Sequence, residues 1–451
     1  MLTASRSLAV AAVLLASVSL VASASAPSTA PATRPADAFA QFVADLRARG
    51  EPATPEDLRP PAVKPEDNAA ILYEKAAAAI DPSEAGPRSS AENFSENLPY
   101  PPTWHRLAAE NLRRNHASFE LVRQATIRPA VAWTTLPGAP PIDKAMKGLA
   151  AQRHVANAVA DAALYAHFTG DDRDAVILLR GQLRHTAAVG HKPFLVSKLV
   201  MLGVAAMTAN NAQLISTELT IEGARHPVRP GIQSPAPRKA VQEIITELLN
   251  DSRLLAPCRQ MFREERVFAL DQFRLNGLAA NPQAATSLPA LSALYDAHIA
   301  ASDKLSWQAP NIAIPDDPFC KIIAPAFDRV RDNVTKVLMT RRMAAISLAV
   351  ALYRNDQGQF PPDLAALVPQ YLPAVPTDPY SREGLFGRAG EPFQYVILDG
   401  TRPMIGSVGP DGRDDGLSQV GLPPDASHTF HAAKPGEPDD LWMDLSAWAG
   451  K

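Results

Sequence analysis

Cysteine is nearly absent from this 451-residue chain: Cys258 and Cys320 are the only two. They share no metal-ligand spacing with each other or with a histidine, which removes zinc ribbons and disulfide-dense scaffolds from consideration. In an oxidising compartment the pair is open to bridging, and two buried free thiols are the other reading. An excess of one charge sign is lacking too, the net being -3. That balance gives no electrostatic reason to expect nucleic acid or an anionic membrane as partner. There is no phosphate-cradling glycine loop and no pair of histidines around a glutamate. A serine elbow is absent as well, because Gly416-Leu417-Ser418-Gln419-Val420-Gly421 has one residue too many. The apolar run from Phe194 to Met207 is interrupted by Ser197 and Lys198 and is too short to span a bilayer, so it reads as a buried helix.

The longest uncharged apolar run lies at the start. Arg6 precedes Leu8 to Val21, and Ala22-Ser23-Ala24 follows. That basic, apolar, small-residue order is an export signal, with cleavage after Ala24 leaving Pro27 clear of the cut. Residues 1–24 are read as the signal, and an uncleaved anchor is the competing reading. The expected location is periplasmic or secreted, with no membrane span after cleavage. Residues 25–36 form a Pro/Ala/Thr tether too poor in large apolar groups to fold.

From residue 37 to 305 the periodicity is helical throughout. Val241, Ile244, Ile245, Leu248 and Leu249 mark one apolar face. His154 to His167, Ala175 to Val189, Phe194 to Met207 and Phe262 to Leu275 read as further helices. Hydrophobic residues make up 46% of the chain and charged ones 20%, enough for real cores, while 42 prolines keep helices short and loops stiff. The turn Gly170-Asp171-Asp172-Arg173-Asp174-Ala175 and the segment from Leu72-Tyr73 to Asp81-Pro82 resemble parts of tetratricopeptide units. A recurrence of about 34 residues is not sustained, so helical hairpins are the expectation.

After a proline-rich linker, 306–324, the pattern changes. Val330, Val334, Val337, Leu338, Ile346, Leu348, Leu352 and Tyr353 lie on one broad helix face. Gly358 stops that helix and Pro361-Pro362 prevents its resumption. Pro362 and Asp363 suit the first turn of a short helix through Val368. Phe393 to Leu398, Met404 to Val408 and Leu441 to Leu445 read as strands, and Asp399-Gly400 is the clearest hairpin signal. The expected class is α+β: a mainly helical N-terminal domain, then at 325–451 one long helix on a small antiparallel sheet.

The order Tyr353 to Pro361, Tyr371-Leu372-Pro373, Asp378-Pro379-Tyr380 and Ser407 to Gly416 resembles the globular head of the major pseudopilin of type II secretion. The resemblance implies the same α+β head and a calcium ion in the acidic loop. The family's leader and unbroken apolar filament helix do not precede Tyr353. Arg329, Arg331, Asp332, Lys336, Arg341 and Arg342 occupy that helix instead, so filament assembly is not expected.

Candidate chemistry is sparse. Asp411, Asp414 and Asp415 cluster in a glycine-rich turn and are the candidate calcium ligands, with a purely structural turn as the alternative. His428 and His431 lie near Asp439 and Asp440 and are of the type that catches a transition metal, but chance placement in a polar loop is the preferred reading. Arg263-Glu264-Glu265-Arg266 reads as a solvated helix face with local salt bridges, with a buried ion network lining a cleft as the other reading. The functional expectation is a non-catalytic binding or scaffold protein with an envelope or secreted protein as partner. The alternative is an envelope hydrolase with its cleft between helical domain and head, using acids such as Glu264 or Glu265.

Overall fold

Capping and proline set where the helices begin and end. The structure, a computed structural model, describes residues 35–81, 100–133, 142–309, 311–382, 390–413 and 441–446. The signal segment lies outside them, and so does the tether up to residue 34. Helix α1 (Pro35–Ala48) opens within the remainder of the tether. It is followed by α2 (Ala69–Ala79), α3 (Pro102–Arg114), α4 (His116–Ala125), α5 (Ile142–Phe168), α6 (Asp172–Gly190) and α7 (Leu195–Ser216). Then come α8 (Arg238–Leu249), α9 (Ser252–Leu275), α10 (Pro282–Ala301) and α11 (Pro318–Gln357). The described chain is mostly helical with one small antiparallel sheet, as the α+β expectation requires.

Helix α11 is the longest element, and its ends follow local chemistry. Pro318 occupies the first position, where no amide hydrogen is needed, and the Asp317 carboxylate accepts from the amides of Phe319 and Cys320 at 2.9 and 3.1 Å. Gly358 ends it at φ +73°, with its amide on the Arg354 carbonyl. The short helix expected after Pro362 is only a 3-10 turn, Ala365–Leu367, started by Asp363 accepting from the Ala366 amide. Pro369 leaves too little chain for an α-helical turn to close.

The sheet has the order β1-β2-β3, antiparallel, with β1 (Gln394–Leu398), β2 (Arg402–Ser407) and β3 (Leu441–Asp444). Asp399 and Gly400, at φ +50° and +72°, turn β1 into β2, so that Leu398 faces Arg402 and Gln394 faces Gly406. The absence of a Cβ at Gly406 is required: one would lie 2.6 Å from the Trp442 ring on β3.

Two buried clusters meet along α11. Its N-terminal half carries Phe319, Cys320, Ile323, Phe327 and Val330 into a core with α7, α9 and α10. From Met339 to Leu352 it enters the largest core, which joins α6, α7 and α8 to Phe393, Ile405, Leu441 and Met443 of the sheet end. Residues 343–350 are buried all round, because helices cover one side and the sheet the other. The single-faced periodicity expected for this helix therefore describes its first half better than its second.

Candidate functional site

Two junctions between consecutive helices each gather buried charged side chains. In the first, α6 ends and α7 begins across residues 191–194. Lys198, on the first turn of α7, is fully buried. Its ammonium donates to the carbonyls of Gly190 and Lys192 at 2.5 and 2.7 Å and pairs with the Glu264 carboxylate at 2.7 Å. The Gly190 carbonyl is one of the orphan groups a helix C-terminus leaves, while the Lys192 carbonyl, just beyond the helix, also accepts from the Ser197 hydroxyl at 2.5 Å. Glu265, beside Glu264 on α9, accepts from the Leu195 amide at 3.0 Å, at the N-terminus of α7. A cation thus sits at one helix's negative end and a carboxyl at the next one's positive end. Burial pushes Glu265 up to about 7, against its hydrogen bond to Leu195, and raises Glu264 against the attraction of Lys198.

The expected solvated face at residues 263–266 is corrected by this geometry. Arg266 is 1% exposed and pairs with Glu51 and Asp296, each at 2.8 Å. Arg263 and Glu264 stay half-buried, Arg263 on Glu51 at 3.2 Å. Partners from other parts of the chain make the burial affordable, and spacing within one helix does not reveal them.

The second junction lies where α8 turns into α9. Arg341 of α11, 5% exposed, donates to the carbonyls of Glu247 and Asn250 at 2.7 and 3.4 Å and so closes the C-terminus of α8. Burial brings its guanidinium down to about 10, with Asp251 opposing the shift. The Glu247 carboxylate takes Arg180 at 3.1 Å, Arg184 at 2.8 Å and Arg253 at 3.7 Å. Glu243 adds a second pair to Arg180 at 2.6 Å, and Asp251 holds Arg342 at 2.6 Å. The five guanidinium groups of Arg180, Arg184, Arg253, Arg341 and Arg342 thus meet three carboxylates, an excess of two positive charges. A cavity of about 10 Å³, room for one water-sized body, opens between Thr186, Glu247, Arg253 and Arg341 with Leu183, Met201 and Ala205 behind.

A third group combines His167 and Asp172, both fully buried, with their side chains 2.6 Å apart. Asp172 also accepts from the Thr220 amide at 2.8 Å and from Arg229 at 3.1 Å. His167 is held below its ordinary range by burial, against Asp172. Asp172 belongs to the turn that resembles a tetratricopeptide junction, and it ties that turn to the 217–229 segment. His185, 1% exposed, is likewise pushed down to about 3 by burial and meets Gln152 at 2.7 Å.

At the sheet end, Asp378 is the organising acid. It is 3% exposed and accepts from the Tyr380 amide at 3.0 Å, the Ser407 hydroxyl at 3.0 Å and the Val408 amide at 2.9 Å. Burial raises its pKa against those bonds. The Asp378-Pro379-Tyr380 and Ser407-Val408-Gly409 motifs are thereby brought together. Asp411 follows in the next turn, partly exposed, its carboxylate accepting from the Arg413 amide at 2.9 Å. Asp414 and Asp415 lie outside the described residues, as do His428, His431, Asp439 and Asp440. Arg382 donates to the Pro410 carbonyl, which puts a guanidinium against the same turn. Among the described residues no cluster of three metal-ligating side chains occurs. Both cysteines are free and buried, and burial pushes the Cys258 thiol up to about 12.

No family model, no curated protein and no solved structure matches the chain.

Proposed function

We propose that this is an exported, non-catalytic protein that binds or scaffolds a partner in the cell envelope, with a pseudopilin-like unit at its C-terminal end. The observation that carries this reading is the engagement of Glu264 and Glu265. The acids a hydrolase would need are held by Lys198 and by the Leu195 amide, where they close helix ends. A general acid or base must reach a substrate proton, and these two face backbone and ammonium. The side-by-side packing of α5, α6 and α7 supports a helical-hairpin body able to present a partner surface. The order signal, tether, helical body and sheet end supports export.

The deciding experiment is crosslinking of the full-length protein in its native envelope, followed by identification of crosslinked peptides, alongside a hydrolysis panel on cell-wall, ester and peptide substrates. A discrete partner crosslinked through the helical body, with no turnover, is the expected result. Turnover that disappears in E264Q or E265Q variants that remain folded would replace the scaffold with the hydrolase.

Calcium at Asp411, Asp414 and Asp415 is part of the same proposal. A cation there must displace or tolerate Arg382, which weakens its affinity; calcium at about 100 times the resulting dissociation constant would add roughly 2.7 kcal/mol. Thermal unfolding of the full chain with calcium and with chelator measures it. Identical midpoints would leave the acidic turn purely structural.

A further inference from the structure

Strand β1 lies at the edge of the sheet and is paired on one side only, to β2. Which of its backbone groups stay open follows from β2. The Pro403 carbonyl accepts from the Leu445 amide at 2.9 Å and so points toward β3. Residues opposite each other in an antiparallel pair turn their backbone groups either toward each other or apart, so Ile397, opposite Pro403, points away from β2. Two residues back, Tyr395 has the same direction. Among the described residues none bonds to the backbone N–H or C=O of Tyr395 or Ile397.

Proteins ordinarily blunt such an edge with a charge or a proline, and Gln394-Tyr395-Val396-Ile397-Leu398 has neither. Val396, at its middle, is 36% exposed. The Tyr395 hydroxyl donates to the Pro361 carbonyl at 3.0 Å, which fixes the strand before any partner arrives. One end of the edge is already taken. The Asp378 amide donates to the Glu391 carbonyl at 2.8 Å, and Thr377 pairs antiparallel with Pro392. An incoming strand must therefore be short and must leave the edge before Pro392.

A second copy of β1 meets these limits. Laid antiparallel about a two-fold axis at Val396, it sets Tyr395 of one protomer opposite its partner's Ile397, and the two residues exchange both of their backbone hydrogen bonds. The four open groups of Tyr395 and Ile397 are then used in each copy. Val396 meets its partner's Val396 as a close apolar pair. In the same register Gln394 faces Leu398, Asp399 faces Phe393 and Glu391 faces Thr401, so no like charges are opposed. Each β1 leaves the edge at its Asp399-Gly400 turn, toward its own β2 and away from the occupied end of its neighbour.

We propose that this edge is a self-association site, at which two copies of the chain pair β1 to β1 about Val396 and join their three-stranded sheets into one of six. The contact is isologous and closes on itself, so it stops at a dimer. One short strand from each copy buries less than a permanent dimer needs, and the dimer forms only as concentration rises. It is independent of any envelope partner.

Sedimentation of the full-length protein over a rising concentration series tests this. A monomer passing to a dimer, and no further, is the expected result. I397P should hold the monomer, because the Ile397 amide makes no bond within the sheet and is needed only across the axis. V396K should do the same by opposing two ammonium groups. Under mild oxidation V396C should give disulfide-linked dimers, both native cysteines being buried, while V368C, equally exposed but outside the strand, should not. A monomer at every concentration, species that grow past the dimer, a dimer that survives both I397P and V396K, or linkage as fast through V368C as through V396C would each overturn the proposal. Should I397P fail to fold, V396K and V396C decide.

Discussion

The two helix junctions solve the same problem with opposite charge accounts. At α6–α7, Lys198 meets the carbonyls of Gly190 and Lys192 and a carboxylate answers it at once, so the site is closed and neutral. At α8–α9, Arg341 does the same for α8, but Glu247 must also answer arginines from α6 and α9. The contrast teaches that a buried cation at a helix end is a structural device when its counter-charge is local. Where the counter-charge is oversubscribed, the surplus arginines stay partly exposed and are screened by solvent.

The largest expected effect comes from breaking the neutral junction. K198M leaves Glu264 without its cation and the Gly190 carbonyl without that donor, while the Lys192 carbonyl keeps the Ser197 hydroxyl and the Phe194 amide. A loss of about 3–5 kcal/mol in urea unfolding is expected, and K198M/E264Q should recover part of it because the stranded charge is gone. A loss under about 1 kcal/mol would mean that water replaces the ammonium and that the junction is not closed. E247Q comes next, breaking the other side. It removes the carboxylate shared by Arg180, Arg184 and Arg253, and about 2–4 kcal/mol should be lost at low salt. That loss should shrink as salt is added, because the arginines it leaves unpaired are partly exposed. If it is the same at low and high salt, the two junctions do not differ in the way described.

A smaller effect sharpens the comparison through pH. Glu265 has its folded pKa raised to about 7 from a reference of 4.5, so between those values the unfolded chain has released a proton that the folded one keeps. Its contribution to stability therefore falls as pH rises from about 4.5 to 7, by at most about 3 kcal/mol. E265Q keeps an acceptor for Leu195 and should remove that slope, giving a protein more stable than the parent at pH 8. His185 works in the other direction: the unfolded ring takes up a proton below about 6.5 that the buried one refuses down to about 3. Stability from that group is lost as pH falls through this window. Unfolding curves from pH 4 to 8 for parent and E265Q separate the two, and parallel curves would show that Glu265 does not titrate as its burial dictates.

Much of the secondary structure was legible in the residues. Gly358, the Asp399-Gly400 turn and the three strands rest on local chemistry that a short window contains. The Phe194 to Met207 segment was readable as buried, and it extends to Ser216. The helix-end sites were not legible. Lys198 looks like an interruption of an apolar run until the carbonyls of Gly190 and Lys192 and the carboxylate of Glu264 are placed around it. Arg266 looks solvent-facing until Glu51 and Asp296 arrive from elsewhere in the chain. Asp378 stood inside a quoted motif, yet its role depends on Ser407 and Val408, which only the fold brings to it. Asp411, Asp414 and Asp415 stand out in the sequence instead, because clustered acids are visible as neighbours and a lone buried acid is not.

Helix α11 has one more consequence, for the order in which the protein is made. The innermost strut is among the last elements synthesised, since the faces of α7 and α8 that it covers belong to residues far upstream. Until residues near 350 leave the ribosome, those faces have no native cover. The helical body is therefore a late-finishing fold, and a chain truncated before α11 should be sticky where the complete one is not.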